Sequence, residues 1–220
     1  MNLPFFSIIL PTYNRARLLP RAIQSLLTQN FQNWELWIAD DGSEDETESL
    51  LQDYCLKDPR LHFIKTQRQG PARARNVVLP FCQGEFISFL DSDDEYLPNH
   101  LLSHYQLIQE NPTVDFWNCD IEIIGNPFVP DKNNPKQKVH IRDCAHLVTF
   151  FIRRSCLVEV QGFPEMLYSE DSGLTNRLAE KKIYPLFSKL CTYRYYRNEA
   201  DSICNLILSG KGFHVETTSK

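Results

Sequence analysis

The run GEFISFLDSDDEY, residues 84–96, sets a nearly unbroken hydrophobic stretch, Phe86 to Leu90, directly before three carboxylates, Asp91, Asp93 and Asp94. A short apolar run that ends in an acidic turn reads as a strand buried on both faces, whose C-terminal end meets solvent. Carboxylates this crowded repel one another. They are tolerated where a hard divalent cation sits among them, since Mg²⁺ or Mn²⁺ takes oxygen ligands and keeps positions for phosphate. The plain alternative is a solvated turn with one aspartate capping the next helix.

Three further runs of the same kind precede it, Phe5 to Leu10, Trp34 to Ala39 and Leu61 to Lys65. Between the first two, Leu18, Leu19, Ala22, Ile23, Leu26 and Leu27 recur at helical spacing, with Pro20 suited to the first turn. Ser43 and Glu46 have the spacing of a capping box before a helix from about Asp45 to Leu56. This alternation predicts βαβ units around a largely parallel sheet. Pro98 to Glu110 reads as a helix, Val114 to Asn118 and Thr149 to Arg153 as strands, Asp171 to Lys182 as a helix, and LCTYRYYR (190–197) as a strand. GNPFVPDKNNPKQK (125–138) has no periodicity and reads as a long loop. An open α/β sheet binds ligands outside the C-terminal ends of its strands. Here those ends carry PTYNR (11–15), Asp40 and Asp41, and the Asp91 cluster, which describes one cleft.

With 220 residues, 42% of them hydrophobic, the chain predicts one sizeable core rather than disorder. A formal charge of −5 argues against a protein that coats nucleic acid. No apolar run approaches the ~20 residues of a membrane-spanning helix, and MNLPFFSIIL lacks the features of a signal peptide, so a cytoplasmic location is expected. The seven scattered cysteines include no C-x-x-C pair and read as buried free thiols. His100 and His104 lack the glutamate of a zinc-protease motif and read as exposed helix histidines.

PTYNR, ADDGSEDET (39–47), GPARARN (70–76), GEFISFLDSDD (84–94) and SED (169–171), in that order, resemble the motif series of family 2 glycosyltransferases. The resemblance covers roughly residues 5 to 203. It implies a GT-A type fold, with a Rossmann-like, mainly parallel sheet flanked by helices and a small mixed subregion on the acceptor side. The whole chain would be a single domain, residues 1–118 forming the nucleotide-sugar half and 119–220 the acceptor half. The implied activity is transfer of a sugar with inversion from a nucleotide donor, best guessed as UDP-linked, to a hydroxyl of a carbohydrate or lipid-linked acceptor in glycan or surface polysaccharide synthesis. That setting implies peripheral association with the inner face of a membrane, and is compatible with a homodimer or a partner glycosyltransferase.

Residue by residue, the resemblance places Pro11, Tyr13, Asn14 and Arg15 at the donor, with Tyr13 stacking on the base and Asp41 accepting an imide N–H. Arg75 and Arg197 would meet phosphate, with Ser92 also at the donor and Asp91 and Asp94 on ribose or on metal-bound water. Asp93 would hold Mg²⁺ or Mn²⁺, with Asp94 beside it. The departing diphosphate carries the charge such a metal neutralises. Inversion needs one base to take the acceptor proton, a role that falls to Asp171 with Glu170 next to it; ordinary helix capping is the alternative for both. Arg68 stands where many relatives have asparagine. Asn198 and Glu199 follow Arg197 where many relatives have a histidine, and only a short tail extends past Ile203. Those departures keep open a second function, a sugar-nucleotide-binding partner subunit without catalysis. No glycine-rich phosphate loop follows the first strand, which disfavours a nucleotidyltransferase.

Overall fold

The computed structural model describes residues 3–131, 134, 136–144, 146–166, 169–198, 202 and 205. Glu199 and Ile203, named above, lie outside them, as do Cys204, one of the seven cysteines, and most of the chain beyond Asn198.

The elements run β1 (Phe6–Thr12), α1 (Leu19–Leu27), β2 (Trp34–Asp40), α2 (Thr47–Lys57), β3 (Leu61–Lys65), α3 (Pro71–Val78), β4 (Phe86–Phe89), β5 (Glu95–Tyr96), α4 (His100–Glu110), β6 (Phe116–Ile124), β7 (Phe128–Pro130), β8 (Lys138–His140), β9 (Phe150–Arg153), α5 (Arg154–Glu159), α6 (Glu170–Glu180) and β10 (Leu186–Tyr196). Eight strands form one sheet in the order β3-β2-β1-β4-β9-β6-β10-β5. The β3-β2-β1-β4 half is parallel, as is β6 with β10. β9 runs antiparallel to both β4 and β6, and β5 antiparallel to β10, so the mixed character is confined to the second half of the sheet.

Alternation along β1 explains how one sheet supports two cores. Phe6, Ile8 and Leu10 pack on the face covered by Leu19, Ala22, Ile23 and Leu26 of α1, while Ile9 joins Ala72, Ala74 and Val78 of α3 on the other face. All of these side chains are buried to within a few percent. Each large one contributes about 1.5–3 kcal/mol of burial, which is what fixes the strand register. After β1 the chain builds outward to β2 and β3, then returns across the sheet to lay β4 on the other side of β1. The reversal opens a crevice at the C-terminal ends of β1 and β4, where PTYNR and Asp91–Asp93 sit.

Several expectations need correction. The 125–138 segment contains a hairpin, in which β7 pairs antiparallel with β8, Val129 opposite Val139. Proline-rich composition hid it, because its pairing is only three residues long on each side. No capping box forms: α2 starts at Thr47 without a side-chain cap, and the Ser43 hydroxyl instead accepts the Asn14 N–H at 2.9 Å. His100 and His104 are each only 1% exposed. His104 Nε2 bonds Cys119 Sγ at 3.0 Å and its ring stacks on Phe151 at 4.0 Å, so the histidine side of α4 is its core side. No disulfide joins the described cysteines; Cys82, Cys119 and Cys156 are buried, but Cys191 is exposed. No helix among the described residues is long and apolar enough to cross a membrane.

Candidate active site

The crevice is a cleft of about 600 Å³. Twelve of the thirteen residues picked out by motif line it: Pro11, Tyr13, Asn14, Arg15, Asp41, Arg75, Asp91, Ser92, Asp93, Glu170, Asp171 and Arg197. Asp94 does not.

The Tyr13 end of the cleft is built by short loops tied to each other. Asn14 holds a left-handed backbone (φ 50°), its N–H bonded to Ser43 and its Oδ1 accepting from Glu44 N at 2.8 Å. That side chain clasps the ends of β1 and β2 together. Both oxygens of Asp41 are also in use, accepting the Gln69 and Gly70 N–H groups at 2.7 and 2.8 Å. Burial raises its carboxyl above the usual range, and those two N–H bonds oppose the rise. Gly42 beside it has φ +82°, and a Cβ there would meet Arg68 N at 2.9 Å, so only glycine lets the two loops approach this closely. Arg68, uncertain from sequence, lies over the Tyr13 ring at 4.0 Å and donates to its hydroxyl at 3.0 Å.

The acidic cluster divides by environment. Asp94 is fully buried, Oδ2 accepting from the Tyr193 hydroxyl and Oδ1 from Tyr196 N, each at 2.7 Å. Its expected place beside a metal is therefore corrected: it anchors β10 to the turn after β4. Asp91 pairs with Arg75 at 3.1 Å. Asp93 stands on the cleft wall, and its carboxyl is pushed up to about 6 by burial and by the neighbouring Asp91 charge, against the pull of Arg15 and Arg21.

Arg75 was expected to meet phosphate. Its guanidinium is 5% exposed and committed to carboxylates, Nη1 to Glu170 at 2.6 Å and Nη2 to Asp91 at 3.1 Å. It joins α3, the β4 turn and α6 rather than standing open to a ligand. Arg197 differs. Only 6% exposed on the same cleft, it has no ion pair among the described residues, and its Nε has no hydrogen-bond partner. A buried guanidinium without a carboxylate suits a phosphate.

α6 brings the third group. Asp171 lies in its first turn, Oδ1 accepting the Ser172 N–H at 2.7 Å, while Glu170 is held by Arg75. Burial, then the Glu170 charge, push the Asp171 carboxyl up to about 6. A carboxylate poised near neutrality in a cleft is suited to accept a proton. Sequence reasoning missed Thr12, whose hydroxyl lies buried and unpartnered in the cleft; it pointed to 125–138 as a substrate-covering segment but named none of the residues by which the β7–β8 hairpin and the segment after it form a wall. The hairpin wall left no motif, only isolated Val and Ile residues.

Glycosyl transferase family 2 matches residues 7–163. The chain belongs to this family. Over 207 residues it is 31% identical to the Campylobacter jejuni GalNAc(5)-diNAcBac-PP-undecaprenol beta-1,3-glucosyltransferase, covering 90% of this chain and 67% of that protein. Over 134 residues it is 35% identical to the Escherichia coli UDP-Glc:alpha-D-GlcNAc-diphosphoundecaprenol beta-1,3-glucosyltransferase WfgD, covering 60% and 52%. The structure of S. aureus TarS in complex with UDP-GlcNAc superposes with a TM-score of 0.72 at 26% identity, over 88% of this chain and 59% of that one. This glycosyltransferase thus has the GT-A type fold and spans about half to two thirds of the length of these relatives.

Proposed function

We propose that this glycosyltransferase moves a sugar, with inversion, from a UDP-linked donor to a hydroxyl of a saccharide carried on a lipid diphosphate. The observation that carries the reading is one cleft holding Asp93, Arg197 and Asp171 together. The names of the C. jejuni and E. coli relatives favour a glucosyl donor and a diphosphate-linked lipid acceptor, and TarS with UDP-GlcNAc favours a uridine nucleotide. A lipid-linked acceptor in turn favours peripheral membrane association and a role in surface glycan synthesis.

In this reading Tyr13 and Asp41 hold the base, and Arg197 pairs with the diphosphate. Asp171 takes the proton of the acceptor hydroxyl as its oxygen bonds to the anomeric carbon. The bond from that carbon to the phosphate oxygen breaks on the opposite side, and its electron pair leaves with the nucleotide. Glu170 stays paired with Arg75 and raises the basicity of Asp171 by its charge.

Among the described residues no group of three or more His, Cys, Asp or Glu side chains is placed to hold a metal. That fits Mg²⁺ or Mn²⁺ bound in the substrate-assisted way, by one or two carboxylates with phosphate oxygens completing the shell. Asp93 would hold the ion, with Asp91 adjacent. When bound, the ion supplies charge neutralisation to the departing diphosphate.

Nucleotide release should be measured from UDP-, GDP- and dTDP-sugars, with and without Mn²⁺, in the presence of a polyprenyl-diphosphate-linked acetamido sugar. Metal-dependent release from a UDP-sugar with product formation is expected. Metal-dependent UDP binding without transfer would instead identify a silent binding subunit.

A further inference from the structure

Four apolar side chains form part of the cleft lining. They are Ile121 of β6, Val129 of β7, and Ile141 and Val148 of the segment after β8, each no more than 6% exposed, and the four belong to one packed cluster. A sugar hydroxyl set against these four side chains loses water and gains no partner from them. A methyl group there gains instead.

Polar side chains line the cleft beside these four, Asp131, Asp143 and His146 among them. His146 lines the same cleft, and its Nε2 is buried with no hydrogen-bond partner. Burial, then nearby His140, hold its pKa down to about 4, so at neutral pH the ring is uncharged and offers one donor and one acceptor nitrogen. Buried polar atoms are rarely left unpaired, and one on a ligand cleft is explained by a ligand group. The group that presents a methyl, an N–H and a C=O together is an amide carrying a methyl, which on sugars is the acetamido substituent.

We infer that Ile121, Val129, Ile141, Val148 and His146 form a subsite for the acetamido group of a sugar substrate, methyl against the apolar wall and amide bonded to His146. This rests on the glycosyltransferase reading and adds its specificity. The acetamido sugar could be the acceptor or the transferred residue, and binding measurements separate the two. Saturation-transfer NMR and calorimetry on the UDP-loaded full chain would compare methyl N-acetyl-β-glucosaminide with methyl β-glucoside. The unloaded chain would be compared on UDP-GlcNAc and UDP-glucose.

A preference of roughly tenfold or more for the acetylated ligand is expected in one arm, with the acetamido methyl most saturated. In the monosaccharide arm it assigns the subsite to the acceptor, in the nucleotide arm to the donor. Val148→Phe, or the milder Val129→Leu should the first fail to fold, should erase the preference. His146→Phe should reduce it and His146→Gln retain part of it. Equal binding in both arms, or a preference that survives the filling substitution, overturns the inference. Because these arms measure binding, absence of transfer in the turnover assay counts against the proposed function alone.

Discussion

Arg75 Nη1 lies 2.6 Å from Glu170 Oε1, an ion pair with its two side chains 5% and 16% exposed that spans 95 residues of sequence. Through the second contact of Arg75, to Asp91, it binds the first turn of α6 to the turn after β4. The Asp91 and Asp171 sides of the cleft are thereby held at a fixed separation, and the proposed catalysis depends on such positioning.

Removing the guanidinium strands two carboxylates in the wall. Arg75→Met is expected to lower unfolding free energy by about 3–5 kcal/mol, read by urea denaturation. Arg75→Lys, a point charge without the planar fork, should recover only part of the stability and leave turnover at least about tenfold down. Wild-type stability in Arg75→Met would show that the pair does not hold the elements together.

Asp171→Asn should reduce transfer by about 10²–10⁴ while UDP affinity is unchanged. The wild-type rate should climb about tenfold per pH unit up to pH 6 and then level, because the carboxyl, raised to about 6, must be ionised to act. A flat profile between pH 5 and 7 would remove Asp171 as base.

The same raised carboxyl has a stability consequence. The unfolded chain releases this proton near 3.8 and the folded one near 6, so folding gains stability as pH falls from about 6 toward 3.8 and carries a penalty above that window. Asp171→Asn removes the penalty, so its thermal midpoint at pH 7 should exceed that of the wild type, by about 2–4 °C for each kcal/mol recovered. Equal midpoints at pH 7 would contradict the buried setting of the group.

Asp93 and Asp94, neighbours in sequence, should fail differently. Asp94→Ala leaves the Tyr193 hydroxyl and Tyr196 N–H buried without partners, at about 1–3 kcal/mol each. Asp93→Ala should keep full stability and lose metal-dependent UDP binding, read by titrating Mn²⁺ into the UDP complex. The reverse pattern would return the metal role to Asp94.

Buried His104 is held to about 4 by burial, against 6.5 when unfolded. Its contribution is intact above pH 6.5 and declines as pH falls toward 4, because only the unfolded chain takes the proton. Relative to His104→Leu, the wild type should lose about 1.4 kcal/mol per pH unit across that window. Parallel pH profiles would place the ring in solvent.

Much of the fold was legible in local chemistry. Continuous apolar runs marked strands covered on both faces, and α1 announced its buried side by spacing alone. Single positions were less legible when their partners were distant. Nothing near Asp94 in sequence indicates that Tyr193 and Tyr196, about a hundred residues on, take both its oxygens, and Asn14 gives no local sign that it grips Ser43 and Glu44. The β7–β8 hairpin was hidden because so short a pairing has little periodicity to show.

The order of the motifs, by itself, determined the family, the fold class and most of the charged residues on the cleft, because periodicity, turn chemistry and strand-end position are properties of neighbouring residues. Which carboxylates stand open, which are tied down, and which arginine is left for an anion were decided only by the tertiary structure. Burial and counter-charge come from elements far apart in the chain, and in a low-dielectric wall these settle what each ionisable group can do. Arg75 and Arg197 read alike as phosphate contacts in sequence; folding gives the first two carboxylates and the second a place on the cleft with no ion pair among the described residues.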